Sequence, residues 1–561
     1  MKDMKKIILW IVLVITAGTI TSCLDDNDFN YIEINDLKED ENGETIQNFD
    51  SEYSPFQGEE LLLAPTFTFT IDSINPDVSY EWYINGIKTD VTTPTYRFSS
   101  DVIGIYEVTF TIVDNKTGVK FSANTRINVQ SAYAKGWMIL SEGADGSSQL
   151  SFVKMKIATN ENGNDSIYYV GEDHDFVPGL GSGPQKLLEN FNYVDYYNFG
   201  NSVVLNDEVI VMQKNKWVEL NGNSFTREIY TEEEFMDGMP ANCEPENAVM
   251  TYTSKCIRDK EGRLYFNTKA AINDFHAGKY MSDPLFGGQL FKEIYATNKA
   301  TSKAKYFLAL TKDDNSLVGI VDDGQANSTS EPYDPTMNMS SNRQNGNQVP
   351  ITETDASNPQ FKNISYNIIN IFPHVIGESK PCNWVAILEK GGQYWFRDFT
   401  LELAYGNEKI NIKADNMKVV SSSMFTNYKD AVAFPHKKFM MIANGNQLWY
   451  CPFEAGSNGT GLKLKDFPSE IASISYKDIA KYPYSGSKPE YNGHIGIGLT
   501  TGEFYIYEVI EEKDKNKVPT GIATLKQLYP NENTVDSNFG KIIDVVYKFG
   551  TLSNTISYNI N

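Results

Sequence analysis

The sequence predicts an all-β protein in which a small β-sandwich precedes a β-propeller. Short apolar runs separated by Gly, Asn and Asp turns recur along the chain, and no long helical periodicity interrupts them. Aromatic residues make up 13% of the 561 residues, with 33 Tyr and 31 Phe, a bias that is typical of strands. The chain is too long for one ordinary domain, so we expect several units.

The N-terminus has the layout of a bacterial secretory signal peptide. Three lysines precede an apolar run at residues 7–15, which is shorter than the ~18–20 residues needed to span a bilayer. Small residues then lead to Cys23 in an arrangement that resembles a lipobox, although an ordinary signal peptide with an incidental cysteine is the alternative. We expect residues 1–22 to be removed and Cys23 to be lipidated, which anchors the chain without a membrane-spanning segment.

Acidic residues follow the cysteine directly. Asp25, Asp26 and Asp28 resemble the export signal that sends Bacteroidetes lipoproteins to the outer face of the outer membrane, and a solvated acidic tether is the alternative. Residues 23–55 are predicted to form such a tether. The net charge of −24 disfavours nucleic acid as a partner, because the protein repels phosphate.

Residues 56–131 are predicted to form the β-sandwich. Residues 80–84 alternate around Trp82 and lead into an Asn85-Gly86 turn, and residues 104–114 form a long alternating run. These segments resemble the PKD and immunoglobulin-like sandwich families, in which the Trp packs the core and the long run is the penultimate strand. The Gly-Asp-Gly turn common in PKD domains is absent after Tyr83.

Residues 136–561 are predicted to form the propeller. Anchors spaced by 47 to 77 residues fit four-stranded blades, and the longest interval contains a polar loop at 322–358. We expect seven blades, closed by residues 542–547 beside residues 136–140. Six or eight blades, two sandwiches and a β-helix are the alternatives, although no repeat of 20 to 30 residues supports the last. The seven pairs of runs are 136–140 with 150–153, 209–212 with 217–220, 248–252 with 264–266, 306–310 with 317–321, 384–388 with 394–396, 439–443 with 448–450, and 495–499 with 504–507.

The sequence predicts no catalytic residues, no metal site and no cofactor, and it leaves enzymatic activity uncertain. Residues 172–175 are interpreted as a solvated loop, residues 179–184 as a turn and His436 as structural, because none has the spacing of a known site. Cys243 and Cys256 could form a disulfide in an oxidising compartment, and the alternative is a pair of thiols.

Two aromatic clusters are the candidate binding residues. They lie at residues 191–199 and 482–491, where exposed rings could stack on sugars or pack peptide side chains. Packing between blades is the alternative interpretation. The candidate ligand-binding residues are Tyr196, Tyr197, Tyr482 and Tyr484.

The lipobox, the sandwich and residues 135–142, which open the repeats, together resemble the PKD-like family lipoproteins of Bacteroidetes. The resemblance implies an accessory surface lipoprotein of SusC/SusD-like nutrient importers, anchored by lipid on the extracellular face of the outer membrane. It also implies non-catalytic capture of oligopeptides or glycans for a TonB-dependent transporter. A surface propeller hydrolase or lyase acting on glycan or peptide is the alternative, and convergent carboxylates at one mouth of the ring would favour it.

Overall fold

A computed structural model describes residues 34–41, 43–133, 135–159, 165–190, 193–194, 208–250, 254–268, 279–296, 306–321, 347–352, 359–374, 381–404, 408–434, 437–454, 457–477, 492–515, 519–548 and 552–553. The chain divides into two compact units, residues 1–131 and residues 132–561. In the described parts of both units the regular structure is almost wholly β-strand.

The first unit is a β-sandwich. One sheet has five strands in the order β2-β9-β8-β5-β6, and β1 with β4 and β3 with β7 form two-stranded sheets. The strands are β1 (Ile46–Gln47), β2 (Glu52–Tyr53), β3 (Leu61–Leu63), β4 (Thr66–Phe67), β5 (Val78–Ile84), β6 (Ile87–Lys88), β7 (Tyr96–Phe98), β8 (Gly104–Asp114) and β9 (Lys120–Val129).

Trp82 lies at the centre of the sandwich core. It is fully buried, its ring centroid is 4.6 Å from that of Phe110, and its Nε1–H donates to the carbonyl oxygen of Thr93 at 2.9 Å. Burial of so large a ring with its only polar group bonded is favourable. The predicted role of Trp82 as a core residue is therefore confirmed.

The described part of the predicted tether belongs to the sandwich. Leu37 is buried in its core, and Ile46, Phe49 and Tyr53 pack against the same cluster. The strand β1 pairs with β4, and β2 pairs in parallel with β9. The predicted start at residue 56 is therefore too late, because a few apolar residues in a mostly acidic segment suffice to add edge strands.

The described part of the second unit contains seven blades of antiparallel strands, with blade 1 combining strands from the two ends of the unit and with blades 4 and 5 joined in one eight-stranded sheet. From the first to the last strand, blade 1 is β37 (Lys541–Lys548), β10 (Gly136–Glu142), β11 (Ser148–Thr159) and β12 (Asp165–Asp173); blade 2 is β13 (Pro184–Asn190), β15 (Glu208–Gln213), β16 (Val218–Asn221) and β17 (Arg227–Tyr230); and the described strands of blade 3 are β18 (Pro245–Met250), β19 (Ser254–Asp259) and β20 (Leu264–Thr268). Blade 4 is β21 (Phe291–Tyr295), β22 (Tyr306–Thr311), β23 (Leu317–Val321) and β24 (Asn347–Thr352); blade 5 is β25 (Asn367–His374), β26 (Pro381–Lys390), β27 (Gln393–Leu403) and β28 (Ile410–Val420); blade 6 is β29 (Tyr428–Phe434), β30 (Phe439–Asn444), β31 (Gln447–Pro452) and β32 (Leu462–Asp466); and blade 7 is β33 (Ile471–Lys477), β34 (Gly493–Leu499), β35 (Phe504–Lys513) and β36 (Pro519–Tyr529).

A few further elements complete the second unit. Ile351 of β24 pairs in parallel with Ile410 of β28, which joins the outer strands of blades 4 and 5. Two short strands, β14 (Tyr193–Val194) and β38 (Leu552–Ser553), pair with each other. Three short 3-10 helices also occur, at Thr231–Glu234, Leu285–Gly288 and Ser422–Phe425. Among the described residues, no helix has the length and apolar character needed to cross a membrane.

The ring is closed by the C-terminal strand β37. It pairs antiparallel with β10, with Gly136 opposite Lys548 and Glu142 opposite Lys541. A cluster of buried hydrophobic residues lies between each blade and the next all the way round, including between blades 7 and 1. The predicted seven-bladed propeller and its closing strand are therefore confirmed. Closure leaves few unpaired edges.

Two predicted segments differ from the structure. The run at 248–252 was paired with 264–266, but β19 lies between them and pairs with β20. This strand was missed because it carries Lys255, Arg258 and Asp259, all of which are buried. The predicted loop at 322–358 contains β24, which was missed because Pro350 argues against a strand; its other residues lie outside the described part of the chain.

Candidate functional site

All seven blades have the same orientation in the ring. The first strand of each blade begins at the end where its second and third strands are joined. In blade 6, for example, Tyr428 at the start of β29 pairs with Asn444 at the end of β30. We call this end of the ring the upper face.

A groove of about 440 Å³ lies in the upper face where blades 6 and 7 meet. The loop before β29, the turn between β30 and β31, and the loop before β33 supply its walls. We call it the upper-face groove. Its lining residues are Thr426, Asn427, Asn444, Gly445, Asn446, Gln447, Pro468, Ser469 and Glu470.

Backbone hydrogen bonds hold the walls of the upper-face groove together. The N–H of Gly445 donates to the carbonyl oxygen of Asn427 at 2.7 Å, Ile471 donates to Gly445 at 2.9 Å, and Phe467 donates to Asn446 at 2.8 Å. Gly445 has a φ of 63°, which favours glycine, and a Cβ there would lie 2.9 Å from the side-chain nitrogen of Asn427. The glycine therefore keeps both the turn and the position of the Asn427 amide.

The walls of the groove carry amides, hydroxyls and one carboxylate. Glu470 accepts hydrogen bonds from Lys429 at 3.0 Å and from the Asn427 amide at 3.2 Å, and these lower the pKa of Glu470. Asn444, which is 5% exposed, forms the floor, where its amide donates to the carbonyl oxygen of Ser423 at 3.0 Å. The groove is thus a positioned set of polar groups above buried strands.

The first strands of the blades carry a second set of polar residues, which surrounds the axis of the ring. Each first strand contains a β-bulge, and the residue that directly follows the bulged residue is polar in every blade. Bulges often re-aim a side chain, and they are enriched beside functional sites. We call these residues the axial ring: Lys186, Asn247, Glu293, Asn370, Asp430, Ser473 and Asp544.

Two carboxylates of the axial ring converge on one hydroxyl. The Ser473 Oγ–H donates to Asp544 Oδ1 at 2.8 Å, and Ser473 Oγ lies 3.4 Å from Asp430 Oδ2. Burial raises the pKa of Asp430 to about 7. The charge of Asp544 adds to this rise, and the hydrogen bond from the Ile474 N–H opposes it. Burial also raises the pKa of Asp544. Both carboxyl groups therefore hold a proton to higher pH than an exposed aspartate does.

These carboxylates also join neighbouring blades. Asp544 of blade 1 accepts the N–H of Leu187 in blade 2 at 2.8 Å, and Asp430 of blade 6 accepts the N–H of Ile474 in blade 7 at 2.9 Å. In each case a carboxylate of one blade satisfies a backbone donor of the next blade. This arrangement gives the pair a structural role as a connection between blades.

Four charged residues are fully buried between blades 2 and 3. Lys255 Nζ lies 2.6 Å from Glu208, 2.5 Å from Glu219 and 3.0 Å from Glu234, and all four side chains have no exposed surface. Glu219 also accepts the hydroxyl of Thr231 at 2.6 Å. We call these five residues the buried charge cluster. Because it is closed to solvent, it stabilises the interface between the blades and is not a surface site.

The acidic segment 172–175 lies beside the closing strand. His174 stacks on Phe539 with ring centroids 4.5 Å apart, and its Nε2 is 3.2 Å from the carbonyl oxygen of Asp536. Glu172 accepts the hydroxyl of Tyr529 at 3.0 Å. Both contacts tie this segment to the loop that precedes β37.

Two other histidines are buried between blades. His374 Nε2 is 2.7 Å from Asp398, and His494 Nδ1 is 2.7 Å from the hydroxyl of Tyr169. Burial and nearby lysines hold the pKa of His494 well below its usual range, so it is neutral. Within the part of the chain that the structure describes, no three His, Cys, Asp or Glu residues are placed to hold a metal ion.

Of the two alternatives for Cys243 and Cys256, the structure has the pair of thiols. Cys243 and Cys256 are both free and buried. Cys243 packs between blades 2 and 3, whereas Cys256 packs between blades 3 and 4. They lie on opposite faces of one blade, which is why their sequence spacing does not bring their sulfurs together.

The residues predicted as sites lie outside the described residues. These are Cys23, the candidate lipidation site, and the tyrosines of the two aromatic clusters, Tyr196, Tyr197, Tyr482 and Tyr484. His436 also lies outside them. Each of these assignments stays a prediction.

Sequence reasoning missed the upper-face groove and the axial ring. The residues between the runs 439–443 and 448–450 are expected to form a turn, but nothing in their sequence indicates that two more loops meet it. Successive members of the axial ring are about one blade apart along the chain, so they become neighbours only when the ring closes. The signal that could have revealed them is a polar residue near the start of each first strand.

Comparison with known protein families finds one match, which covers part of the chain. Residues 23–174 match the PKD-like family. The match covers the described sandwich and continues through β10, β11 and β12 of the first blade. A search of curated proteins gives no match.

Several solved structures are similar to the chain at low identity. A quinonprotein alcohol dehydrogenase-like protein from Bacteroides thetaiotaomicron VPI-5482 is 11% identical, with 74% of this chain and 95% of that chain covered and a TM-score of 0.25. Apo AztD from Citrobacter koseri is 10% identical, with 85% and 100% covered and a TM-score of 0.33. Hsv2 from Kluyvelomyces marxianus is 9% identical, with 69% and 95% covered and a TM-score of 0.34.

Proposed function

We propose that this protein is a lipid-anchored lipoprotein on the extracellular face of the outer membrane. In this proposal its propeller is a non-catalytic binding or scaffold subunit of a SusC/SusD-like importer for oligopeptides or glycans. The observation that carries the binding role is the upper-face groove, whose polar walls are held in place by backbone hydrogen bonds. Groups fixed in advance lose little entropy when a ligand binds.

The axial carboxylates support binding over catalysis. Asp430 accepts the N–H of Ala431 in its own strand at 2.8 Å and the N–H of Ile474 in the next blade at 2.9 Å, so both of its oxygens are already hydrogen-bonded to the backbone. A general acid or base must be free to reach substrate. Here the two carboxylates complete the ring.

The proposed location and partners rest on the N-terminal sequence and on its resemblance to known surface lipoproteins. The signal layout, Cys23 and the acidic residues that follow resemble those of exported surface lipoproteins. Anchoring beside a transporter raises the effective concentration of a captured nutrient, so even a modest affinity at the groove is useful.

The direct test of the partner is a pull-down of the lipidated protein from solubilised outer membrane, analysed by mass spectrometry. We expect a SusC/SusD-like pair among the recovered proteins. Cys23→Ala is expected to abolish outer-membrane fractionation, and replacing Asp25, Asp26 and Asp28 with Ala is expected to leave a lipidated protein that external protease does not reach. Recovery without any transporter component would contradict the proposed partner.

A propeller hydrolase or lyase is the second candidate function. The observation that favours it is the convergence of Asp430 and Asp544 at the axis, with the pKa of Asp430 raised to about 7. Incubation with peptide and polysaccharide libraries, followed by mass spectrometry of the products, separates the two functions. Turnover that Asp430→Asn abolishes would establish the enzyme, and intact libraries would support binding.

A further inference from the structure

We propose that the upper-face groove is a binding subsite for a neutral oligosaccharide. This inference rests on the proposed binding function and names its ligand class. It starts from the lining, in which Asn, Gln, Thr and Ser side chains supply most of the polar groups. Amides and hydroxyls each offer donors and acceptors together, and sugar hydroxyls require the same combination.

The polar groups are positioned by internal bonds and retain capacity for a ligand. The Asn446 amide donates to the carbonyl oxygen of Phe467 at 2.8 Å, and Gln447 accepts the indole N–H of Trp449 at 3.2 Å. A carboxamide has two N–H donors and two acceptor lone pairs, so the internal bonds use only part of the capacity of each side chain, although Gln447 also hydrogen-bonds Asp466. The side chains of Asn446 and Gln447 are exposed and half-buried, respectively, which leaves them accessible from solvent.

The charges of the groove select against acidic ligands. Glu470 is exposed at the rim, and its bonds with Lys429 and Asn427 lower its pKa, so it is an anion at neutral pH. An oligouronide or sulfated glycan would meet this anion, whereas the Lys429 ammonium is already paired with it at 3.0 Å. A neutral glycan avoids this repulsion.

Size and polarity favour a glycan over a peptide. The volume of about 440 Å³ falls within the range of roughly 300–1,000 Å³ that is usual for small-molecule sites. Pro468 is the one carbon-rich side chain among the lining residues, so apolar peptide side chains would gain little burial there. A hydroxyl-rich ligand can form hydrogen bonds with the polar groups of the walls.

The test is isothermal titration of the purified mature protein with three probes: a neutral glucan oligosaccharide series, an oligogalacturonide and a mixed tryptic peptide pool. We expect a neutral glycan to bind and Gln447→Ala to weaken it at least tenfold. The matched control is Gln393→Ala, because Gln393 also begins the third strand of its blade, outside the groove. We expect this control to bind like the wild type, and thermal melting shows whether each variant is folded.

Glu470→Gln tests the charge of the groove, because a purely structural role of Glu470 would not change the preference between neutral and acidic glycans. We expect it to retain neutral-glycan binding and to gain affinity for the oligogalacturonide, because the repelling charge is gone. Equal glycan affinity in Gln447→Ala and Gln393→Ala would overturn the groove as the site. Binding of the peptide pool alone would contradict a glycan ligand but would leave the proposed binding function standing. If none of the probes binds, the inference is wrong. The transporter pull-down still tests the proposed function in that case.

Discussion

The interfaces between blades 2 and 3 and between blades 6 and 7 both have an apolar cluster, but they differ in the buried charged groups that accompany it. The first contains the buried charge cluster, in which Lys255 is surrounded by three glutamates without solvent exposure. The second has an apolar cluster that includes Phe439, Ile497 and Val509, and the carboxyl group of Asp430 accepts the N–H of Ile474 across it. The comparison teaches that the same blade geometry accepts an apolar core with or without a buried group of ion pairs, but with different sensitivity to single changes and to pH.

The difference in sensitivity follows from how each kind of interaction depends on its partners. Apolar burial is roughly proportional to area and has no direction, so the loss of one methyl group has a bounded effect. A buried charge depends on each partner, because removing one leaves the others uncompensated. We therefore expect blades 2 and 3 to tolerate substitution less well than blades 6 and 7.

The largest expected effect comes from Lys255→Met. It leaves Glu208, Glu219 and Glu234 buried without their cation, and we expect the propeller to lose about 3–5 kcal/mol of unfolding free energy. Chemical denaturation followed by tryptophan fluorescence measures it. The control is Lys260→Met, which removes an exposed pair with Glu244 and should change stability much less, because solvent screens that pair. Equal effects of the two variants would contradict the comparison.

A smaller effect is expected for Thr231→Val. The variant keeps the side-chain volume but removes the hydroxyl that donates to Glu219 at 2.6 Å, and hydrogen bonds to charged groups are worth about 1.5–3 kcal/mol. Burial opposes the ionisation of Glu219, but Lys255 and hydrogen bonds hold its pKa well below its usual range. The stability from this carboxylate is thus present above its unfolded pKa and is lost as the pH falls. We expect the difference between wild type and Thr231→Val to shrink in acid, and a constant difference in melts across pH would contradict this reasoning.

The apolar interface should respond less. Ile497→Val removes one methylene from a fully buried side chain, and we expect a loss of about 0.5–1.5 kcal/mol. Because no charge is involved, the loss should be the same at pH 5 and pH 8. Ile522→Val is the control, since Ile522 is 48% exposed and should be nearly neutral. A marked pH dependence of the Ile497→Val effect would argue against an apolar origin.

The last expected effect is on the pH dependence of stability. The folded protein raises the pKa of Asp430 to about 7, so it keeps a proton that the unfolded chain releases near pH 4, and stability falls as the pH rises between these values. Asp430→Asn should flatten this slope, which thermal melts between pH 5 and pH 8 would record. Asp283→Asn, at an exposed position, should keep the slope of the wild type. An unchanged slope in Asp430→Asn would show that this carboxyl is not the source.

Much of the fold could be predicted from local patterns. The run at 136–140 and the run at 542–547 are apolar and of similar length, so their pairing in blade 1 followed from the repeat alone. Trp82 was recognisable because a large aromatic residue in an alternating strand marks a core position. Polar strands were harder, and β19 was missed because its buried Lys255, Arg258 and Asp259 read as surface residues. Their burial is possible only because partners from other strands neutralise them.

The sequence by itself determined the fold class, the repeat number and the closing strand, because alternation and turn residues are local signals with short periods. Only the tertiary structure decided the upper-face groove, the axial ring and the buried charge cluster. Each of these brings together residues from different strands or blades, such as Asp430 and Asp544, which are more than a hundred residues apart and share Ser473. Such sites depend on distances set by ring closure, and no local pattern encodes those distances.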